Sequence, residues 1–191
     1  MNYTINLRRI AALQHLAAAR GNVRYYLVGV RVAIADNVVT CEATDGSAMG
    51  RFVEDLPNAG DPIDIIIPLD AVKRIKLRKA DDGYGVIEQV RAGVWLMAHA
   101  NGFALQFDAI DGSFPDTERV LHAAGEGKPA AAHFDFDLLA KFGKVGKAMN
   151  LHHPGHFQID QRGESGAAVT HRSLTGFRGV VMPFRPGVVG S

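Results

Sequence analysis

The chain has 191 residues, 47% hydrophobic and 21% charged, and its 21 Lys and Arg against 20 Asp and Glu leave a formal net charge of +1. That composition excludes a disordered or fibrous chain and allows one large or two small globular domains with a real core. No apolar run approaches the ~20 residues that cross a bilayer, residues 1–9 lack the apolar core of a secretory signal, and a lone cysteine, Cys41, excludes an intrachain disulfide or a Cys-rich metal cluster.

A helical pattern runs over 7–20, with Ile10, Leu13 and Ala17 on one side and Arg8 and His15 on another. After Gly21-Asn22, β-rich runs follow at 24–34, 38–44 and 51–54, the first two separated by a hairpin turn at Ala35-Asp36-Asn37. A Pro/Gly/Asp-rich break at 57–62 precedes a short apolar strand over 63–67, and Pro68 then opens a second helix over 69–79. Strands are expected at 84–90, 93–98 and 103–109, followed by linker composition over 122–130. The last block holds a strand over 133–136, a helix over 137–149, and strands at 156–160, 166–171 and 177–183. The order of a helix then strands thus occurs three times, at a period of roughly 60 residues, with short strands and tight turns implying antiparallel pairing. The fold class is α+β with the helices on one face of the sheets. The expected division is a domain of two units over 1–121 (1–56 and 62–121), a linker at 122–130, and a third unit over 131–191.

Positive charge gathers on the helical segments. On the third, Leu138, Leu139, Phe142, Val145 and Met149 share a face, and Lys141, Lys144 and Lys147 stripe the opposite one. The second carries Lys73, Arg74, Lys76, Arg78 and Lys79, and the first Arg8, Arg9 and Arg20, against only Asp70 and Asp137. A solvated basic helix face is an ordinary feature, but three of one sign in a near-neutral chain would attract phosphates if they share a surface. Periodicity leaves open whether they do.

No nucleophile elbow, P-loop or dinucleotide fingerprint occurs, so no catalytic residues and no cofactor are expected. His152, His153 and His156 flank the turn-forming Pro154-Gly155, with no ligand spacing that favours a metal. Asp108, Asp111 and Asp116 sit in a Gly-Ser-Phe-Pro loop context, and Cys41 lies mid-strand among apolar neighbours as a buried thiol.

Five stretches, in order, carry a family likeness: Arg24-Tyr25-Tyr26-Leu27-Val28-Gly29, Ala43-Thr44-Asp45-Gly46, Ile65-Ile66-Ile67-Pro68, Asp111-Gly112-Ser113-Phe114-Pro115-Asp116 with Arg119-Val120-Leu121, and Val180-Val181-Met182-Pro183-Phe184-Arg185. Together they resemble the β subunit of bacterial DNA polymerase III, the sliding clamp, strongly over 23–121 and thinly over 130–170. The resemblance implies a clamp-like architecture: three helix-plus-strands units corresponding to both units of that family's middle domain and the second unit of its last. It implies a non-catalytic protein that tethers a DNA polymerase or other partners, through their linear motifs, to duplex DNA. A hydrophobic peptide cleft would have Leu27, Thr44, Gly46 and Met49 on one wall and Val180, Met182, Pro183 and Phe184 on the other. Ser47 and Ala48 replace a His-Arg pair of the family pattern, and His122 replaces a proline, so motif preference is expected to differ. DNA contacts are expected from Arg24, Tyr25 and Tyr26 and from Arg8, Arg9, Arg20, Lys73, Arg74, Lys76, Lys141, Lys144 and Lys147. A ring of twelve units would take four chains of three, so a homo-oligomer, in one closed form a tetramer whose third units pair, is expected in the cytoplasm. The alternative is a clamp-derived peptide-binding module that does not encircle DNA.

Overall fold

The structure is a computed structural model that describes residues 2–57 and 60–184. The first strand, β1 (Asn2–Asn6), ends at Asn6, whose side chain accepts from the Arg8 and Arg9 amides at 3.1 and 3.3 Å and so caps α1 (Leu7–Leu13). Leu7, Ile10, Ala12 and Leu13 of α1 are buried. The helix is shorter than the 7–20 expected because the Ala18 amide turns to the Leu27 carbonyl, 2.9 Å away, instead of continuing the ladder. A single 3-10 turn at Tyr25–Leu27 then leads into β2 (Gly29–Ala35). Asp36 and Asn37, both at positive φ, make the expected hairpin to β3 (Val38–Thr44), and β4 (Ala48–Asp55) follows.

The second unit opens with β5 (Ile63–Pro68) and α2 (Leu69–Val72). Only one turn of the expected 69–79 helix forms. Arg74 and Ile75 make tighter bonds to residues three back, and the chain then leaves the helix. Continuing would stack Arg74 over Arg78 with no acid between them, a like-charge i,i+4 pair that disfavours helix. Strands β6 (Tyr84–Arg91), β7 (Val94–Ala98) and β8 (Ala104–Asp108) complete the unit. A helix not foreseen from periodicity, α3 (Thr117–Ala124), is capped by Asp116 and runs into the stretch read as linker.

In the third unit the expected strand over 133–136 is only a single bridge at His133, because Asp135 caps α4 (Phe136–Ala148) by accepting from the Asp137 amide at 2.7 Å. The short strands β9 (Gln158–Asp160), β10 (Ala167–Thr170) and β11 (Phe177–Val181) follow.

The strands form two antiparallel sheets, in the orders β1-β6-β7-β8 and β5-β2-β3-β4-β11-β10-β9. The first two units exchange their leading strands, β1 lying on β6 and β5 on β2. The third joins the first directly through β4 and β11, with Met49 opposite Val180. α1 packs on α4, and the core beneath them includes Phe52, Phe142 and Phe177, with the Phe52 and Phe177 rings 4.9 Å apart. Side chains alternate across the β4–β11 junction: Ala48 and Val181 join that core, whereas Met49 and Val180 pack with Ala124 and Leu121 under α3. The junction is thus covered by helices on both faces.

Candidate peptide cleft and basic surface

The side chains that turn outward at the β4–β11 junction line a cavity of about 280 Å³. Its floor is Met49 and Val180, cross-strand partners that are 4% and 2% exposed. Leu27, Thr44, Gly46 and Ala48 form one side, Met182 the other, and Pro115, Thr117 and Val120 close the top. Six of the eight residues expected in the cleft are therefore brought together from three distant stretches. Pro183 and Phe184 are not among them; they line a neighbouring groove with Ala131, Ala132 and His133. Ser47, Ala48, Pro115, Asp116, Thr117 and Val120 were missed as cleft residues. The signal for most of them was the Asp-Gly-Ser-Phe-Pro-Asp stretch and the amphipathic octet that follows.

The walls are held by hydrogen bonds rather than by packing alone. The Thr44 hydroxyl donates to the Ala48 carbonyl at 2.9 Å and accepts from the Gly46 amide at 3.0 Å. The Asp45 carboxylate accepts from the Ser47 and Ala48 amides, each at 2.8 Å, and from Lys141 of α4. Gly46 has φ +96, a left-handed conformation that favours glycine, and the Arg24 guanidinium lies close against it. The Met182 amide donates to the Ser47 carbonyl at 2.8 Å, tying the two walls together.

The top wall depends on one buried carboxylate. Glu42 of β3 is fully buried and accepts from Arg31 at 2.6 Å, from Arg51 at 3.0 Å and from the Thr117 hydroxyl. Arg51 also reaches Glu118 and, at 2.8 Å, the Thr117 oxygen. Carboxylate partners raise the pKa values of both guanidiniums, for Arg31 chiefly Asp64, and for Arg51 Glu118 and Glu42 against the opposing effect of burial. A charged, satisfied network thus fixes the start of α3 over the cleft.

The basic residues divide into structural and free. Arg9 pairs with Glu54 at 2.9 Å and lies over the Phe52 ring, so it belongs to the core margin. Arg8 donates to the Arg78 and Asp81 carbonyls, both at 2.8 Å, and Arg20 pairs with Asp70 on the surface. Arg24 lines the cleft and donates to the Asp45 carbonyl. Tyr25 and Tyr26 meet edge to face at 5.7 Å beside Gly112, Tyr25 being the more exposed. Lys141 is engaged with Asp45. Lys73, Arg74, Lys76, Lys144 and Lys147 are exposed.

Two of these cations come together. The half-buried His15 imidazole, just past α1, is held below its ordinary range by burial, by Lys144 of α4 and by Lys73 beyond α2. Lys73 and Lys144 thus bring positive charge from two segments to an imidazole that follows a third. The segment after α2 is anchored there by Asp81, which accepts from the Arg78 amide and from Asn101, each at 2.7 Å. Although burial opposes ionisation, these bonds hold the Asp81 carboxyl at about 2.

The remaining candidates carry less. His153 stacks on His156 at 4.6 Å with His152 beside them, and among the described residues no group of three His, Cys, Asp or Glu is arranged to hold a metal ion. Burial pushes the Cys41 thiol up to about 12, leaving it unreactive. No helix among the described residues is long and apolar enough to cross a membrane.

This antiparallel α+β fold, with helices packed on its sheets, is that of solved DNA polymerase sliding clamps. A Pseudomonas aeruginosa sliding clamp with ligand matches 97% of this chain and 66% of its own, at TM-score 0.71 and 19% identity. The beta subunit of the DNA polymerase of Streptococcus pyogenes matches the same shares at TM-score 0.71 and 14% identity. In sequence, residues 4–116 match the family described as DNA polymerase III beta subunit, central domain, and the chain belongs to that family. The beta sliding clamp of Pseudomonas putida KT2440 is 29% identical over 121 residues, 63% of this chain and 33% of that protein. That of Proteus mirabilis is 31% identical over 117 residues, 60% of this chain and 31% of its own length. The match thus spans about a third of these curated relatives.

Proposed function

We propose that this chain is a clamp-like accessory of DNA replication, without catalysis of its own, that sits on duplex DNA in the cytoplasm and tethers a polymerase or other partner. The observation that carries the reading is the convergence of Lys73, Lys144 and His15 from three helical segments on one surface, away from the α3-covered side of the junction. Such a surface attracts phosphates without regard to sequence, as a sliding contact requires. Arg74, Lys76 and Lys147, on the same two segments as Lys73 and Lys144, are also exposed. Lys141 and Arg9, already engaged, take no part in the phosphate contact.

Partner proteins would dock in the cleft, where Leu27, Met49 and Val180 offer an apolar floor and exposed Met182 an adaptable rim for a Leu or Phe anchor. The domain reading that accompanies this is a two-unit body over 1–121 and a third unit over 131–191, assembled as a homo-oligomer.

Retention on circular DNA after washing, compared with the same DNA linearised, tests the proposal. A chain that encircles the duplex stays on the circle, slides off free ends, and is lost from both when Lys73, Lys144 and Lys147 are changed to Glu. Equal retention on both forms at every salt concentration, or none, would remove encirclement and leave a peptide-binding module that does not surround DNA.

A further inference from the structure

The three units are built alike, but only two are complete. In the exchange between the first and second units, the N-cap residue of each helix lies opposite the first residue of the other unit's second strand: Asn6 opposite Tyr84 and Pro68 opposite Gly29. The first helical residue then packs down, leaving Leu7 0% and Leu69 4% exposed. Leu7 rests on Gly85 of β6, where a Cβ would collide with its methyl group. The equivalent residue of the third unit, Phe136, follows the N-cap Asp135 and is 84% exposed. Its second strand, β9, ends the seven-stranded sheet, with β10 its only strand neighbour among the described residues. Ile159 on that strand is 38% exposed. The missing neighbour is an internal feature of the chain, because α3 leads through 125–134 straight into α4. The chain's own segment reaches the edge only past β9, where the Ala130 amide meets the Gln161 carbonyl at 3.1 Å, and so leaves Gln158–Asp160 open.

We infer that the third units of two copies of this chain complete each other about a two-fold axis, each laying residues 133–135 on the other's β9 and seating Phe136 over its Ile159. The repeat supplies the occupant and the register. Carrying over the pairing of β1 with β6 sets Asp135 opposite Gln158, Phe134 opposite Ile159 and His133 opposite Asp160 of the second copy. The last sets an imidazole beside a carboxylate that Arg162 already engages at 2.9 Å, and an open strand edge and a large exposed aromatic residue are covered together. The contact is self-complementary, as a two-fold pair requires. It deepens the homo-oligomer part of the proposed function by naming its surface, and it needs neither DNA nor peptide to form.

The test uses the full chain with His133→Cys and Asp160→Cys together, mildly oxidised without DNA and run on a non-reducing gel. Residues opposite each other in an antiparallel pair lie ~4.5–5.5 Å apart at Cα, within disulfide reach, and buried Cys41 stays silent. The expected result is a disulfide between chains, absent from either single variant. Adding Phe136→Glu, on a side chain exposed in the single copy, should weaken self-association at least about tenfold by light scattering, with an unchanged circular dichroism spectrum. A disulfide closing within one chain, or none at all, overturns the inference, as does self-association insensitive to Phe136→Glu. Those failures leave retention on circular DNA to be read on its own, and a cross-linked pair that never reaches the mass of four chains breaks the ring while keeping the pair.

Discussion

The cleft and the basic surface lie on opposite faces of one sheet junction and are held in different ways. Around the cleft, backbone amides, the Thr44 hydroxyl, the Asp45 carboxylate and the buried Glu42 all have partners, and the walls meet through a backbone bond between Met182 and Ser47. On the opposite face, exposed Lys73 follows the single turn of α2, and exposed Lys144 and Lys147 stand on α4 as long, flexible side chains. A preformed apolar pocket discriminates by shape, whereas a field of flexible cations answers to charge and salt. In the proposed function, the cleft would make the selective contact and the cations the indifferent one.

The hardest way to break that contrast is through Glu42. Glu42→Ala removes the buried acceptor shared by Arg31, Arg51 and Thr117, leaves the two guanidiniums Asp64 and Glu118, and should cost about 1–3 kcal/mol in denaturant unfolding. It should also release α3 from the top of the cleft, visible as faster amide exchange at Thr117 and Glu118. Loss of stability without faster exchange there would mean that α3 is held by its apolar contacts alone.

Within the cleft, Met49→Ala or Val180→Ala should weaken binding of a Leu- or Phe-bearing linear motif by about 1–3 kcal/mol in a fluorescence titration, with little change in the salt dependence of DNA binding. Changing Lys73, Lys144 and Lys147 to Ser should do the reverse. Motif affinity holds, while the slope of log K against log salt for duplex DNA flattens by about 3, near one per lost phosphate contact. If both sets of variants moved both readouts, the two faces would be one site and the contrast would be gone.

The smallest effect belongs to His15. Its folded pKa is depressed, so its contribution to stability is present above the ordinary imidazole range and is lost as pH falls through the folded value. Phosphates set against Lys73 and Lys144 would relieve that depression, so the duplex should bind slightly more tightly at pH 6 than at pH 7, by less than about tenfold. An NMR titration of His15 with and without DNA checks the sign. An unchanged pKa would take the duplex away from this surface.

Much of this was legible before any coordinates. The alternation over 38–44 reads correctly as β3, Asp36-Asn37 as its hairpin, and the apolar stripe of Phe142 and Val145 as the buried face of α4, because each is a local pattern with a local cause. Six cleft residues were found through short family stretches, not through periodicity. Helix lengths were misjudged where a distant partner intervened: Ala18 bonds to Leu27, and the cations after Val72 are anchored by Asp81. β1 went unnoticed, since a five-residue run at the start of the chain is made a strand by β6, more than 70 residues away.

By itself, then, the sequence determined the α+β class, the chain's family and the apolar Leu27, Met49, Val180 and Met182 that line the cleft. Tertiary structure decided which cations are spent inside the fold, which converge beside His15, and that Pro183 and Phe184 leave the cleft for a neighbouring groove. It also decided that Phe136 is bare where Leu7 and Leu69 are covered. The reason is physical: periodicity records which face of an element is apolar, whereas burial depends on whether a second element arrives to cover it.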